Sequence, residues 1–573
     1  MKKEIFREFT PQLFLSLRSY DRKTFTADLM AGIIVGIVAL PLAIAFGIAS
    51  GVTPEQGIIT AVIAGFIVSF MGGSRVQIAG PTGAFIVIVY GIIQQHGFQG
   101  LVIATIMAGI MLVLMGVFKL GRIIKFIPYP IIVGFTSGIA LTLLTTQVPD
   151  MFGLDLKGVQ PPGDFAGKWM LFFSAFGTID PVNTLIFISG VAIIVYTPKV
   201  VRKVPGSLVA ILVLTVVVYL LKTYAGMEGI TTIGDRYKLQ AAFPAAEVPR
   251  IDMTAITSLF PVAITIALLS AIESLLSATV ADGTMGGEKH NSNTELIAQG
   301  AANIITPLFG GIPATGAIAR TMTNINNGGR TPVAGIVHAA VLLGIMVMLM
   351  PLAQYIPMAC LASVLTVVAY NMSEWRSFRN ILRGQRSDAS VLLVTFLLTV
   401  IFDLTVAIEV GMLLAIVLFI KRINEVSTVS VVKEKLDLSA ESEIVHSDEV
   451  LHLPKEVEVY EIDGPFFFGI ANKFEESMRA IGDKSLVRII RMRKVPFIDS
   501  TGLNNLYSLC VKSRKDGMDV VLSGVRPEVR RMIEQSAIPS LIGPQNVCDH
   551  INAALDRTYC ILRERGVEVD PGE

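Results

Sequence analysis

The sequence predicts a polytopic α-helical membrane protein with about fourteen spans, arranged as a seven-plus-seven inverted repeat and followed by a small α/β domain. Three observations predict it. The 573 residues are 52 % hydrophobic and only 16 % charged, against about 25 % charged in an ordinary soluble chain. The apolar runs end near Ile420, after which the composition becomes mixed and charged. Within the apolar part, two nearly identical words, "GPTGAF" from Gly80 and "PATGAIAR" from Pro313, interrupt hydrophobic segments.

The first 24 residues are basic and carry no signal-peptide core or cleavage site, so they are expected to form a cytoplasmic arm along the membrane surface. A spanning helix needs about 20 apolar residues. Candidates begin near Ala27, Gly57, Leu101, Ile127, Val182, Gly206, Ile256, Val333, Met358, Asp388 and Thr405. The stretches after Pro81 and after Thr315 are too short or too polar for full spans, and the one from Glu295 to Phe309 is weaker still. Counted together they approach fourteen.

Basic residues test that count, because lysine and arginine favour cytoplasmic loops. Clusters at Lys2/Lys3/Arg7, Lys119/Arg122/Lys125, Lys199/Arg202/Lys203, Arg376/Arg379/Arg383/Arg386 and Lys421/Arg422 all fall inside if the N-terminus is cytoplasmic and there are fourteen crossings. The long joints around 149–169 and 222–251 then face out, and both termini are cytoplasmic. The expected organisation is an arm over 1–24, a membrane domain over 25–422, a linker over 423–444, an α/β domain over 445–565 and a tail over 566–573.

If the two echoed words fall in the third and tenth crossings, each repeat holds seven helices, and the odd number inverts the second repeat relative to the first. Interrupted helices at matching positions of inverted repeats point to a binding site at mid-membrane. The positive ends of two half-helices there attract anions. The bland alternative is a pair of Pro/Gly kinks.

Two ionisable residues lie where hydrocarbon is expected: Glu273 in "TIALLSAIESLLSATVADG", and Arg320. A charge at that depth costs at least about 2.5–3.5 kcal/mol, so each needs a partner or a role. Arg320 stands about one turn past Gly316 and can flank an anion site opened by Thr315 and Gly316. Glu273 and Ser277 share a helix face at i, i+4 spacing, with Ser270 one turn earlier. Either Glu273 and Arg320 form a structural ion pair, or Glu273 carries a coupling proton or cation while Arg320 supplies charge to the substrate.

The net charge of +1 argues against a nucleic-acid binder. The four cysteines have no metal-ligand spacing, and neither a metal nor any cofactor is expected. No nucleophile–base pair suggests an enzyme. His290, in a polar joint, is expected to be structural.

From about Val445 the pattern alternates strands ("VEVYEID", "LVRIIRM", "DVVLSG") and helices, including one over 471–482. It predicts a small sheet with helices on one side. In "DSTGL", Asp499 or Ser500 is a natural N-cap.

Four segments, "AGIIVGIVALPLAIAFGIASG" (31–51), "GGSRVQIAGPTGAF", "HNSNTELIAQGAANIITPLFGGIPATGAIARTMTN" and "GGRTPVAGIVHA", resemble the signatures of the sulfate permease (SulP) anion transporters, in the expected order. The resemblance covers almost the whole chain. It implies a core of spans 1–4 and 8–11 against a gate of spans 5–7 and 12–14, an elevator-like movement, a homodimer, and a cytoplasmic-membrane location. The implied substrate site comprises Thr82, Gly83, Ala84 and Phe85 with Thr315, Gly316, Ala317 and Arg320; Glu273 and Ser277 match coupling-ion positions. In members resembling sodium–bicarbonate transporters the acid is Asp, the next ligand Thr, and the arginine position is not basic. The departures here favour proton-coupled uptake of sulfate or a dicarboxylate over sodium-coupled bicarbonate uptake or anion exchange. A nucleobase permease of the same architecture, or a membrane-anchored signalling protein, are the rival readings. The "DSTGL" turn resembles the loop of STAS domains, which implies possible phosphorylation at Ser500 or Thr501 and a possible cytoplasmic partner.

Overall fold

The computed structural model describes residues 9–121, 128–200 (except 160 and 163), 205–239 (except 228), 243–249, 253–286, 289–426 (except 403), 428–432, 435–437, 450–467 (except 453 and 455) and 485–567. The helix expected over 471–482, and the basic residues at 2–7, 122–125 and 202–203, lie outside the described residues. The chain divides into two compact units, 1–415 and 416–573.

In the first unit a short helix α1 (Gln12–Ser16) precedes α2 (Arg22–Ala49), which Asp21 caps by accepting from the Thr24 N–H. After α3 (Pro54–Met71), a two-residue strand β1 (Ala79–Gly80) leads into α4 (Gly83–Val117). α4 is two crossings in one: Gly97, with φ 66°, breaks the helix, as glycine permits without a Cβ clash. Then come α5 (Tyr129–Phe152), a short α6 (Phe165–Ala175), α7 (Pro181–Val200), α8 (Gly206–Ala225) and the one-turn α9 (Ile233–Arg236).

The second half follows the same plan. α10 (Met253–Met285) and α11 (Ser292–Ile305) precede strand β2 (Thr315–Gly316) and a nine-residue half-helix, α12 (Ile318–Asn326). The unit is completed by α13 (Val333–Ala353), α14 (Met358–Met372), the short α15 (Trp375–Leu382), α16 (Arg386–Ile401) and α17 (Leu404–Val426), whose last turns belong to the second unit. Eight of these helices are long and apolar enough to cross a membrane by themselves. With α4 counted twice and the shorter segments added, the described residues supply fourteen crossings.

Small residues let these helices approach closely, as membrane interfaces require. A Cβ on Gly32 would come within 2.5 Å of the Ala334 carbonyl oxygen, and one on Gly36 within 2.8 Å of Val341, so α2 and α13 touch almost backbone to side chain. α4 meets α11 in the same way through Gly109 and Gly300.

In the second unit the sheet runs β3 (Thr428–Val432), β6 (Val457–Asp463), β7 (Val487–Lys494), β8 (Asp519–Ser523), with β6, β7 and β8 parallel and β3 antiparallel to β6; β4 (Lys435–Asp437) and β5 (Val450–His452) pair separately. On one face Tyr460, Ile490, Met492 and Leu522 pack with α18 (Ser500–Lys515), α19 (Pro527–Glu534) and α20 (Ile538–Ile542). On the other face Val459, Val487, Ile489 and Val521 pack with α21 (Ile551–Glu564). Helices on one side only were expected, and that is corrected here. The parallel strands are apolar on both faces, so both need cover.

Candidate functional site

The two echoed words meet. β1 and β2 pair antiparallel, Ala79 opposite Gly316 and Gly80 opposite Thr315. α4 starts just past β1 and α12 just past β2, so two helix N-termini converge from opposite directions. Neither N-cap, Thr82 or Ala317, gives a side-chain cap. First-turn N–H groups of both helices are thus available to an acceptor.

They open on a cavity of about 380 Å³, within the range of small-molecule sites. Pro81, Thr82, Gly83, Gly316, Ala317 and Arg320 line one end with Glu273. Phe46, Phe135, Ile272, Leu276, Met372 and Ile408 form apolar walls, and Thr136, Asn371 and Glu374 add polar groups. The neighbouring Tyr129 hydroxyl lies 3.2 Å from the Glu374 carboxylate and 2.9 Å from the Ser377 hydroxyl.

Arg320 is in the first turn of α12 and 2 % exposed. Its Nη2 donates to the Pro81 carbonyl oxygen. Its Nη1 is buried with no hydrogen-bond partner. The guanidinium lies so close to Gly80 that a Cβ there would come within 2.0 Å of Nη1. The structural ion pair with Glu273, one of the two alternatives read from the sequence, is not formed among the described residues. The Glu273 carboxylate instead accepts from the Thr82 hydroxyl at 2.9 Å, joining α10 to the start of α4.

Behind the cavity wall a polar network holds the crossover rigid. Gln77 Nε2 donates to Ser274 Oγ at 2.7 Å, and Gln299 Nε2 and Asn303 Nδ2 donate to the Ala314 carbonyl at 2.7 and 2.9 Å. Thr321 Oγ1 accepts from the Ile78 N–H at 3.1 Å, and Asn324 Nδ2 donates to the Val76 carbonyl at 2.9 Å. Buried polar groups of this kind must be paired, and pairing fixes their positions.

Of the residues singled out from the sequence, Thr82, Gly83, Gly316, Ala317, Arg320 and Glu273 surround the cavity. Ala84 and Phe85 point into the apolar core. Thr315 donates to the Ser270 carbonyl at 3.0 Å, and Ser277 donates to Thr321 Oγ1 at 3.3 Å; neither lines the cavity. Sequence reasoning missed Gln77, Gln299 and Asn303, although three amides in apolar surroundings were a visible signal. His290 bridges Asp282 (2.7 Å) and Ser292 (3.0 Å) at the start of α11. In the soluble unit Asp499 caps α18 by accepting from the Gly502 N–H at 2.7 Å, and Ser500 and Thr501 are exposed on its first turn.

Fold and site together define a membrane transporter built on crossed half-helices, with a central pocket that holds a buried arginine. The chain belongs to the sulfate permease family: residues 25–395 match its model, and residues 450–554 match that of the STAS domain. It is thus an anion transporter, from a family of transporters rather than enzymes. It is 41 % identical to the putative sulfate transporter YvdB of Bacillus subtilis over 93 % of this chain and 98 % of that one. To the bicarbonate transporter BicA of Picosynechococcus it is 30 % identical over 91 % of this chain and 92 % of that one. The solved transmembrane domain of a cyanobacterial BicA covers 69 % of this chain, and 98 % of that chain is matched, with a TM-score of 0.60 and 30 % identity. Murine Slc26a9 in its inward-facing state shares the fold, with a TM-score of 0.86 over 98 % of this chain and 95 % of that one at 17 % identity.

Proposed function

We propose that the protein takes up sulfate, or a small dicarboxylate, with a proton, and that the anion binds between the N-termini of α4 and α12 beside Arg320. The observation that carries this reading is the unpartnered Nη1 of a buried arginine at the convergence of two uncapped helix ends. A doubly charged oxyanion matches that donor set, since guanidinium and backbone N–H groups bind oxyanions with charge-assisted hydrogen bonds. YvdB's name supports sulfate. BicA's name keeps sodium-coupled bicarbonate as the second reading.

Glu273 supplies the coupling. It shares the cavity with Arg320 and holds the Thr82 hydroxyl. An anion in the same cavity adds a negative charge near the Glu273 carboxyl, so a proton and an anion bind more readily together than apart. That mutual preference is the thermodynamic requirement for symport. The protein works as a homodimer in the cytoplasmic membrane with both termini inside, and the paired half-helices move as a rigid core past the gate helices. The domain limits 25–422 and 445–565, and a regulatory role for Ser500 or Thr501, belong to the same proposal.

Proteoliposomes with an imposed proton or sodium gradient, offered labelled sulfate, succinate and bicarbonate, test it. Accumulation of sulfate or succinate driven by the proton gradient alone is expected. Accumulation of bicarbonate driven only by sodium establishes the second reading instead.

A further inference from the structure

The transport reading leaves the short helix α15 without a role. Along it Trp375, Phe378 and Leu382 recur at i, i+3 and i+7, and Arg376, Arg379 and Arg383 recur at the same spacing one residue later. An arginine stripe therefore runs beside an aromatic one. Trp375 and Phe378 stack, with ring centroids 6.4 Å apart, and Phe378 meets Phe396 of α16 edge to face at 5.3 Å. These rings close one side of a groove of about 340 Å³. Its other walls include Leu141 and Leu144 of α5 and Tyr370 of α14.

The hydroxyls in the groove are spent on the backbone: Ser137, Thr366 and Ser373 donate to the carbonyls of Ser373, Ala362 and Tyr370. The surface left is apolar, yet Trp375 and Tyr370 are 60 % and 72 % exposed. α5, α14 and α16 are membrane crossings, so the medium that meets this groove is lipid. Arg376, Arg379, Arg383 and Arg386 are exposed, and their side chains make no hydrogen bond or ion pair among the described residues. The acidic side chains of the same stretch are held elsewhere. Glu374 accepts from the Tyr129 hydroxyl at 3.2 Å, and Asp388 from the Ser387 hydroxyl at 3.3 Å. From Glu374 to Asp388 four arginines thus stand against two carboxylates. A helix with arginines on one face and Trp, Phe and Leu on the other lies in the membrane interface. A basic cluster at that level attracts anionic headgroups.

We propose that α15 and this groove bind one anionic phospholipid from the leaflet that α15 faces, the cytoplasmic one in the orientation proposed above. Its phosphate lies against Arg376, Arg379 and Arg383, since guanidinium groups pair with phosphate oxygens. One of its acyl chains fills the groove along Trp375, Tyr370 and Phe396.

Tryptophan quenching tests the site, because the chain has two tryptophans, Trp169 and Trp375. The full chain carrying Trp169→Phe is reconstituted in phosphatidylcholine vesicles that contain, at one mole fraction, either phosphatidylglycerol or phosphatidylcholine with brominated acyl chains. Bromine quenches a tryptophan on contact. Binding of the anionic lipid at Trp375 is expected to be about fivefold tighter than that of phosphatidylcholine. Arg379 and Arg383 are exposed, so adding Arg379→Gln and Arg383→Gln should leave the fold intact. It should remove the preference while both lipids still quench. Equal quenching by the two lipids without those substitutions, a preference that survives them, or no quenching by either lipid because a second copy of the chain covers Trp375, overturns the proposal. The readout needs neither a substrate nor a fixed orientation in the vesicle, so its failure is distinct from failure of the transport reading.

Discussion

The first turns of α4 and α12 are the same backbone device carrying different side chains. Each follows a two-residue strand of one small antiparallel pair, and each presents an uncapped N-terminus to the cavity. On α4 the next side chains, Ala84 and Phe85, are fully buried in an apolar cluster. On α12 the buried side chains are Arg320, Thr321, Asn324 and Ile325, three of the four polar. Thr321 and Asn324 tie the second half-helix to the backbone before β1. The repeat therefore provides the geometry of an anion site, while the divergence between its halves provides the charge and the fixation.

Removing the charge breaks the comparison most severely. Arg320→Ala makes the second half-helix as neutral as the first, and equilibrium sulfate binding should weaken by about 100-fold, roughly 3 kcal/mol, while the purified protein stays monodisperse. Wild-type affinity in that variant places the anion elsewhere.

Glu273→Gln comes next. It fixes the uncharged form of the side chain that Thr82 contacts. Binding and sulfate–sulfate exchange should persist within a few-fold, whereas accumulation driven by an imposed pH gradient should disappear. Full accumulation by the variant reduces Glu273 to a packing partner of α4.

A subtler substitution sharpens the asymmetry. Gly80→Ala adds a Cβ in the space that Nη1 of Arg320 occupies, shifting the guanidinium without removing it. Affinity should fall about tenfold, close to 1.4 kcal/mol. Titration calorimetry that finds no change means that Arg320 has room to act from another position.

The smallest effect belongs to Thr315→Val. The Thr315 hydroxyl is spent on the Ser270 carbonyl, so its loss should lower stability by about 1 kcal/mol and leave sulfate affinity within about threefold. A thermal shift with a binding titration on the same sample checks both.

How much was legible in the sequence follows from the same contrast. Apolar length and the positions of the basic residues indicate crossings, and the repeated Pro–Thr–Gly words indicate where two helices are interrupted. Those are local properties. That Ala84 and Phe85 turn into the core while Gly83 faces the cavity depends on the rotation of α4, which α10 and α11 set by packing. Ser277 shares a helix face with Glu273 in projection, yet Thr321 from another helix takes its hydroxyl. The two-sided cover of the soluble sheet was missed for a similar reason. β7 carries apolar residues on both faces, Val487 and Ile489 on one and Ile490 and Met492 on the other, and the need for α21 on the second face shows only once β6, β7 and β8 are seen to be parallel.

The central claim is positional: one anion sits between the starts of α4 and α12, touching Arg320. Anomalous diffraction from crystals grown with selenate, a heavier analogue of sulfate, tests it most directly. The account predicts a selenium peak in the central cavity with a selenate oxygen about 3 Å from Arg320 Nη1, absent in Arg320→Ala. Selenate that is transported by the protein but bound away from both half-helices contradicts it.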